Sequence, residues 1–150
     1  GRPVAFMAKA ELFDVPLLGR LIRALGAYPV RRGASDREAI RTATATLEAG
    51  WATGVFLDGT RQANGRVNAP LPGAALLAAR SGAPLLPVAI LNSHRALGSR
   101  QFWPRLVPIQ LLIGTPIPPP VSRRRADLDA TTALLQERIN ALLDQGLQHP

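Results

Sequence analysis

The residues best suited to chemistry in this sequence are Asp58, Gly59, Thr60 and Arg61, which follow the apolar run 55–57. That run is typical of a buried strand. Asp-Gly is a strong turn signal, because Gly accepts a positive φ and Asp bonds its own backbone. Arg61 supplies a planar fork of donors that matches a phosphate or a carboxylate. A strand ending here would bring a carboxylate, a hydroxyl and a guanidinium together where α/β folds bind ligands. The alternative is an ordinary strand and turn with a surface arginine.

Two more basic positions follow short apolar runs. Lys9 comes after the predicted strand 4–8, and Arg32 lies in Arg31-Arg32-Gly33 after the predicted strand 28–30. Consecutive arginines before a Gly at a strand end favour an anion pocket, and the alternative is a solvated loop.

Composition narrows the function classes. The chain of 150 residues has a net charge of +8 and no cysteine, which excludes a disulfide framework, a thiol nucleophile and a thiolate metal site. The positive charge favours anionic partners, namely phosphorylated ligands, lipid headgroups or nucleic acid. The two histidines have no acidic partner at ligand spacing, so no metal site is predicted. No apolar run is long enough for a transmembrane helix.

Helix and strand signals alternate along the chain. A first helix is expected between Asp14, as its cap, and Gly26, and a second between the capping box Ser35–Glu38 and Gly50. The second helix should turn Ile40, Ala43 and Leu47 inward. Further helices are expected from Gly73 to Ser81 and from Asp127 to Gln145, the last ended by Gly146, with strands over 85–91 and 106–113. This order predicts an α/β fold, a single layered domain with a mixed, mostly parallel sheet flanked by helices.

The first helix has two interpretations. Its leucines lie beside Arg20 and Arg23, a pattern that suits a helix lying on an anionic bilayer. Packing of the leucines on the sheet is the commoner arrangement.

Taken together, three segments resemble sequence blocks of the glycerolipid acyltransferase family, which acylates 1-acyl-glycerol-3-phosphate (lysophosphatidate). The residues 26–33 are similar to the second block, with Arg32 at its arginine. Phe56-Leu57-Asp58-Gly59-Thr60-Arg61 resembles the third block, Phe-Pro-Glu-Gly-Thr-Arg. The run 83–88 resembles the fourth block, an apolar segment ending in Pro. The order and spacing of the blocks agree with the family over residues 1 to about 120.

The chain departs from the family in two ways. Asp58 stands in place of the Glu of block three, and Leu57 in place of its Pro. Block one, a His followed after four residues by Asp, does not occur in the sequence. We therefore expect residues 1–150 to be the C-terminal part of one acyltransferase domain without a second domain, cut after block one and inactive alone. The alternative is a natural relative that lacks the catalytic block.

The resemblance implies an O-acyltransferase that moves a fatty acyl group from a thioester, on coenzyme A or acyl carrier protein, to lysophosphatidate, giving phosphatidate. It assigns no catalytic residue to this chain beyond an assisting role for Asp58, and the acceptor would contact Arg32, Asp58, Gly59, Thr60, Arg61 and Lys9. No metal or organic cofactor is implied, and no nucleic-acid partner is expected. The expected location is the cytoplasmic face of an anionic membrane surface. The alternatives are a non-catalytic module that binds lipid headgroups or nucleic acid, and an acyltransferase for another lyso-lipid.

Overall fold

The computed structural model describes residues 1–30, 37–58, 62, 65–93 and 105–148. Two compact units are present, Gly1–Phe56 and Leu57–Pro150, and the expectation of one domain over 1–150 stays a prediction. The elements in chain order are β1 (Val4–Lys9), a 3-10 helix (Ala10–Phe13), α1 (Pro16–Ala24), β2 (Tyr28–Val30), α2 (Arg37–Glu48), β3 (Ala52–Gly54), α3 (Gly73–Ser81), β4 (Val88–Leu91), β5 (Gln110–Ile113) and α4 (Arg125–Gln148).

The first unit contains a parallel sheet in the order β2-β1-β3. Met7 of β1 pairs with Tyr28 of β2, and Val4 of β1 pairs with Ala52 of β3. Helix α2 connects β2 to β3, so the predicted parallel crossover unit is confirmed.

Helix α2 packs on this sheet through small side chains. Ala39 and Ala43 are buried one turn apart, and their size allows a close approach. Of the predicted inward stripe, Ala43 is buried, whereas Ile40 and Leu47 are only half-buried. The helix ends at Gly50, whose φ of +84° is the left-handed conformation typical of a glycine after a helix. Ser35 of the predicted capping box lies outside the described residues.

The strand predicted over 55–57 is wrong in position, because β3 occupies Ala52–Gly54. Gly54 pairs with Phe6, and the ring of Phe6 fills the space that a Cβ on Gly54 would take. The strand is thus covered by a side chain from its neighbour, and its own Ala, Thr and Gly gave no apolar signal. Phe56 is exposed, with its ring centroid 6.5 Å from that of Phe6.

Helix α1 begins differently from the prediction. Val15 is its N-cap residue, and Asp14 instead ends the preceding 3-10 helix, so it cannot cap α1. The end at Gly26, with φ +83°, is confirmed. Packing of the leucines on the sheet does not hold for Leu17 and Leu21, which are 83% and 55% exposed, whereas Leu18 is 37% exposed.

The second unit pairs β4 with β5 in antiparallel register, and α4 covers one face of this pair. Leu91 of β4 and Leu143 of α4 belong to its buried core. Gly146 does not end α4, contrary to the prediction. It is buried within the helix, where a Cβ would overlap the side chains of Leu91 and Leu112. The glycine is required because the helix lies very close to the strands.

The strand predicted over 85–91 is shorter than expected. It begins only after Pro87, which is fully buried and lacks the N–H that a ladder needs. The Pro87 carbonyl accepts a hydrogen bond of 2.9 Å from the Gly114 N–H. Leu85 forms an isolated bridge to Ile117. Likewise, β5 occupies only the second half of the strand predicted over 106–113.

Candidate functional site

Asp58 lies where the chain, after β3, comes alongside a later segment. It forms an antiparallel bridge with Pro70, and the Leu57 carbonyl accepts a hydrogen bond of 2.8 Å from the Leu71 N–H. The carboxylate of Asp58 accepts from two consecutive backbone amides, Asn68 N–H to Oδ2 at 3.1 Å and Ala69 N–H to Oδ1 at 3.2 Å. Both oxygens therefore tie the start of block three to residues 68–69, and each keeps a further lone pair for a ligand.

Helix α4 holds the same loop from the other side. The side-chain amide of Asn140 donates to the Val67 carbonyl at 3.1 Å, and its Oδ1 accepts from the Val67 N–H at 3.0 Å. Gln136 donates to the same carbonyl at 3.0 Å. Both polar backbone groups of Val67 are thus paired with side chains of α4, and these bonds fix the position of the loop along the helix axis.

An ion pair extends this row of contacts. Arg66 donates from Nη1 to Asp144 Oδ1 at 2.5 Å and from Nη2 to Oδ2 at 3.2 Å. These bonds lower the pKa of Asp144 from its ordinary value of 3.8 and raise the pKa of Arg66. Because the guanidinium of Arg66 is already paired in two-point geometry, we do not assign it to an anionic ligand.

Sequence reasoning missed the α4 side of this site. Gln136, Asn140 and Asp144 recur every four residues, so they share one face of a helix. That polar row was the available signal, and it lies outside the apolar face from which the helix was predicted.

Lys9 lies at the carboxyl end of β1, where its backbone pairs with Val30 at the end of β2. Its ammonium group is 3.0 Å from a carboxylate oxygen of Glu11, and both side chains are substantially exposed. Two parallel strands therefore end side by side, and the chain continues from Val30 toward Arg32. This is the edge at which α/β sheets usually bind ligands.

Four of the predicted site residues fall outside the described parts of the chain, namely Arg32, Gly59, Thr60 and Arg61. Their assignments stay predictions. Of the other two, Lys9 belongs to the first compact unit and Asp58 to the second.

Within the described residues, no three His, Cys, Asp or Glu side chains are grouped as a metal would require. No helix in the same residues is long and apolar enough to cross a membrane. A cavity of about 260 Å³ is lined by Pro118, Pro119, Thr131 and Leu134 among others. Of the predicted site residues that the structure describes, neither Lys9 nor Asp58 lines it.

Comparisons with known proteins support one family. The sequence profile described as Acyltransferase matches residues 1–91, a range that includes all three blocks. The 1-acyl-sn-glycerol-3-phosphate acyltransferase of Bacillus subtilis (strain 168) is 32% identical over 155 residues, covering 95% of this chain and 71% of that protein. The chloroplastic 1-acyl-sn-glycerol-3-phosphate acyltransferase BAT2 of Brassica napus is 24% identical over 99 residues, covering 65% of this chain. That match spans only 29% of the length of the plant protein.

A solved structure agrees with the fold. The crystal structure of the 1-acyl-sn-glycerophosphate (LPA) acyltransferase PlsC from Thermotoga maritima matches with a TM-score of 0.74. The match covers 99% of this chain and 58% of that chain at 24% identity, which confirms the α/β fold class. With the profile match over more than half of its length, the chain belongs to the Acyltransferase family.

Proposed function

We propose that this chain is part of an O-acyltransferase that transfers a fatty acyl group from a thioester to the free hydroxyl of 1-acyl-glycerol-3-phosphate, giving phosphatidate. The observation that carries the proposal is the family match over all three sequence blocks in their expected order. The Bacillus subtilis relative, which bears that enzyme name, aligns with nearly the whole chain. The carrier of the acyl group is coenzyme A or acyl carrier protein.

The reaction needs a base for the acceptor hydroxyl but no acyl-enzyme. In the family a His acts as that base and an Asp four residues later orients its imidazole. Neither group of that block occurs in this sequence. Asp58 is not the base in this proposal, which gives it a positioning role through its two backbone hydrogen bonds.

The acceptor phosphate is assigned to arginines. Arg32 and Arg61 offer two-point donor geometry for phosphate oxygens. The position of Lys9 beside Val30 supports the choice of Arg32, since Arg32 follows Val30 by two residues and the two strands end together. Gly59 would let the backbone approach the acceptor, and Thr60 would donate from its hydroxyl.

We assign two roles to Asp58, holding its loop in place and binding the acceptor. Its hydrogen bonds to residues 68–69 hold the start of block three in place. Its remaining lone pairs are available to an acceptor hydroxyl. The Glu of the family block is one methylene longer, so at this position it would reach the same amides only if the backbone shifted.

The acceptor is amphiphilic, so we place the enzyme at the cytoplasmic face of an anionic membrane. The chain's net charge of +8 suits such a surface. The proposal invokes neither a metal nor an organic cofactor.

The test is acyl transfer by this chain fused behind the block-one segment of a family relative. The chain without that segment is the reference, and phosphatidate is measured from lysophosphatidate with acyl-CoA or acyl-acyl carrier protein. We expect phosphatidate only from the fusion. Preference for a lyso-lipid without a phosphate would identify another acceptor and refute the phosphate assignment. No transfer to any glycerolipid, together with binding to nucleic acid that falls steeply with salt, would favour the binding module.

A further inference from the structure

Helix α1 carries an apolar face that the described structure leaves exposed. Leu17 and Leu21 of α1 are 83% and 55% exposed, and Leu25, the residue directly after its end, is 68% exposed. The four-residue spacing places Leu17 and Leu21 in one row along the helix, and Leu25 continues that row at its end. Leu12 and Val15, just before the helix, are 41% and 48% exposed and belong to the same segment.

The opposite side of α1 makes the contact with the rest of its unit. Gly19 is the buried residue of the helix, and a Cβ there would overlap the backbone carbonyl of Phe13. At about 100° per residue, Gly19 lies about 200° around the axis from Leu17. The helix thus rests on the preceding 3-10 helix through its bare glycine side and turns its leucines outward, the reverse of a helix that packs on a core.

Charge identifies the kind of partner. The helix contains Arg20 and Arg23 and no acidic residue. Arg20 is exposed and lies about 60° from Leu17 around the axis, while the Arg23 guanidinium stacks 5.2 Å above the Phe13 ring. Near the helix, Asp14 is exposed and Glu11 is paired with Lys9. Leucines flanked by arginines are the pattern of a helix that lies in the plane of an anionic membrane surface.

We propose that α1 is a membrane-docking helix that inserts Leu17, Leu21 and Leu25 among the acyl chains of an anionic bilayer while Arg20 contacts lipid phosphates. Nine residues make a helix about 14 Å long, too short to span a hydrocarbon core of about 30 Å, so α1 lies parallel to the surface. A second copy of α1 would bring arginine against arginine, with no acidic residue on the helix to pair them. The inference deepens the proposed function and rests on it for the amphiphilic acceptor that the membrane would present.

The first experiment measures co-flotation of the chain with vesicles of phosphatidylglycerol and phosphatidylcholine, without lysophosphatidate or acyl donor. We expect Leu17→Ser/Leu21→Ser to raise the lipid concentration for half-binding by about tenfold or more. The matched control Leu147→Ser removes a leucine that is 69% exposed on α4, and we expect no change. Equal binding by the double variant and the control would overturn the proposal.

The charge component is tested separately. We expect Arg20→Gln to weaken binding to the anionic vesicles by about fivefold, the effect of roughly one lipid-facing cation. The control Arg80→Gln makes the same charge change at an exposed position of α3 and should have little effect. If the chain bound pure phosphatidylcholine vesicles as strongly as the anionic vesicles, the choice of an anionic surface would be contradicted.

A labelling experiment reports the environment of one position directly and leaves Leu21 and Leu25 in place. Because the sequence has no cysteine, Leu17→Cys and Leu147→Cys each give a single site for a polarity-sensitive dye. A blue shift on vesicles at position 17, without one at 147, supports the proposal. A shift that depends on protein concentration in the absence of lipid would identify a second copy as the occupant and overturn it.

Failure of the docking proposal can be distinguished from failure of the proposed function. Vesicle binding by the fusion without acyl transfer would count against the proposed function alone. Acyl transfer to a short-chain, monomeric lysophosphatidate without vesicle binding would count against docking alone.

Discussion

Replacing Asp58 by Ala should destabilise the second compact unit to a measurable degree. The carboxylate accepts two hydrogen bonds, at 3.1 and 3.2 Å, from the amides of Asn68 and Ala69. A hydrogen bond to a charged group is worth about 1.5–3 kcal/mol at favourable sites, and we take about 1 kcal/mol for each bond here because the site is exposed. We therefore expect Asp58→Ala to lower the free energy of unfolding by about 2 kcal/mol. Asp58→Asn keeps one acceptor and should lose about half of that amount.

The measurement is urea denaturation followed by circular dichroism. With a slope of about 2 kcal/mol per molar for a chain of this size, the Asp58→Ala midpoint should fall by about 1 M. The control is Asp129→Ala, which removes an exposed carboxylate paired with Arg125 one helical turn away. It should cost about 0.5 kcal/mol or less. Equal midpoints for Asp58→Ala and Asp129→Ala would refute the structural role of Asp58.

Three further predictions concern packing and pH. Gly146→Ala should lower the free energy of unfolding by about 1–3 kcal/mol, because the added Cβ overlaps two leucine side chains. The control Gly73→Ala, where the added Cβ has open space, should be neutral or slightly stabilising in the same urea assay. The Arg66 bonds lower the pKa of Asp144 below 3.8, so their contribution to stability is present above that value and lost at lower pH; Asp144→Asn should flatten this acid limb of stability against pH. Burial raises the pKa of Tyr28, the single tyrosine, to about 12, so its phenolate absorbance should titrate near that pH. Stability should fall between pH 10 and about 12, and a titration midpoint near 10 would contradict the burial.

The helix ends that carry a glycine were predictable from the sequence. Helix α3 has the predicted bounds Gly73–Ser81 and is followed by Gly82 at φ +71°, and α1 ends before Gly26 at φ +83°. The strand β3 was displaced because its residues, Ala52 to Gly54, have no bulk of their own, and the covering ring comes from Phe6 of β1. A tertiary contact of this kind leaves no trace in the local pattern.

The candidate site was likewise only partly predictable from the sequence. Asp58 was recognised from the turn that follows it, but its partners are backbone amides ten and eleven residues later. The contacts of Asn140 and Asp144 with the loop span more than seventy residues. Residue types cannot report such pairings, because any backbone amide or arginine in the chain would serve equally well. The predicted helix end at Gly146 is wrong for a related reason, since a glycine that permits close packing has the same sequence signal as one that ends a helix.

The central claim is that Arg61 binds the phosphate of a lysophosphatidate acceptor in an acyltransferase. The direct measurement is kcat/KM for acyl transfer to lysophosphatidate by the chain fused behind a block-one segment, comparing Arg61→Ala with Arg80→Ala. We predict a loss of about 2 kcal/mol, or roughly thirtyfold, for Arg61→Ala and almost none for Arg80→Ala, since only the first removes a charge-assisted contact to the acceptor. Equal activity of the two variants would contradict the assignment.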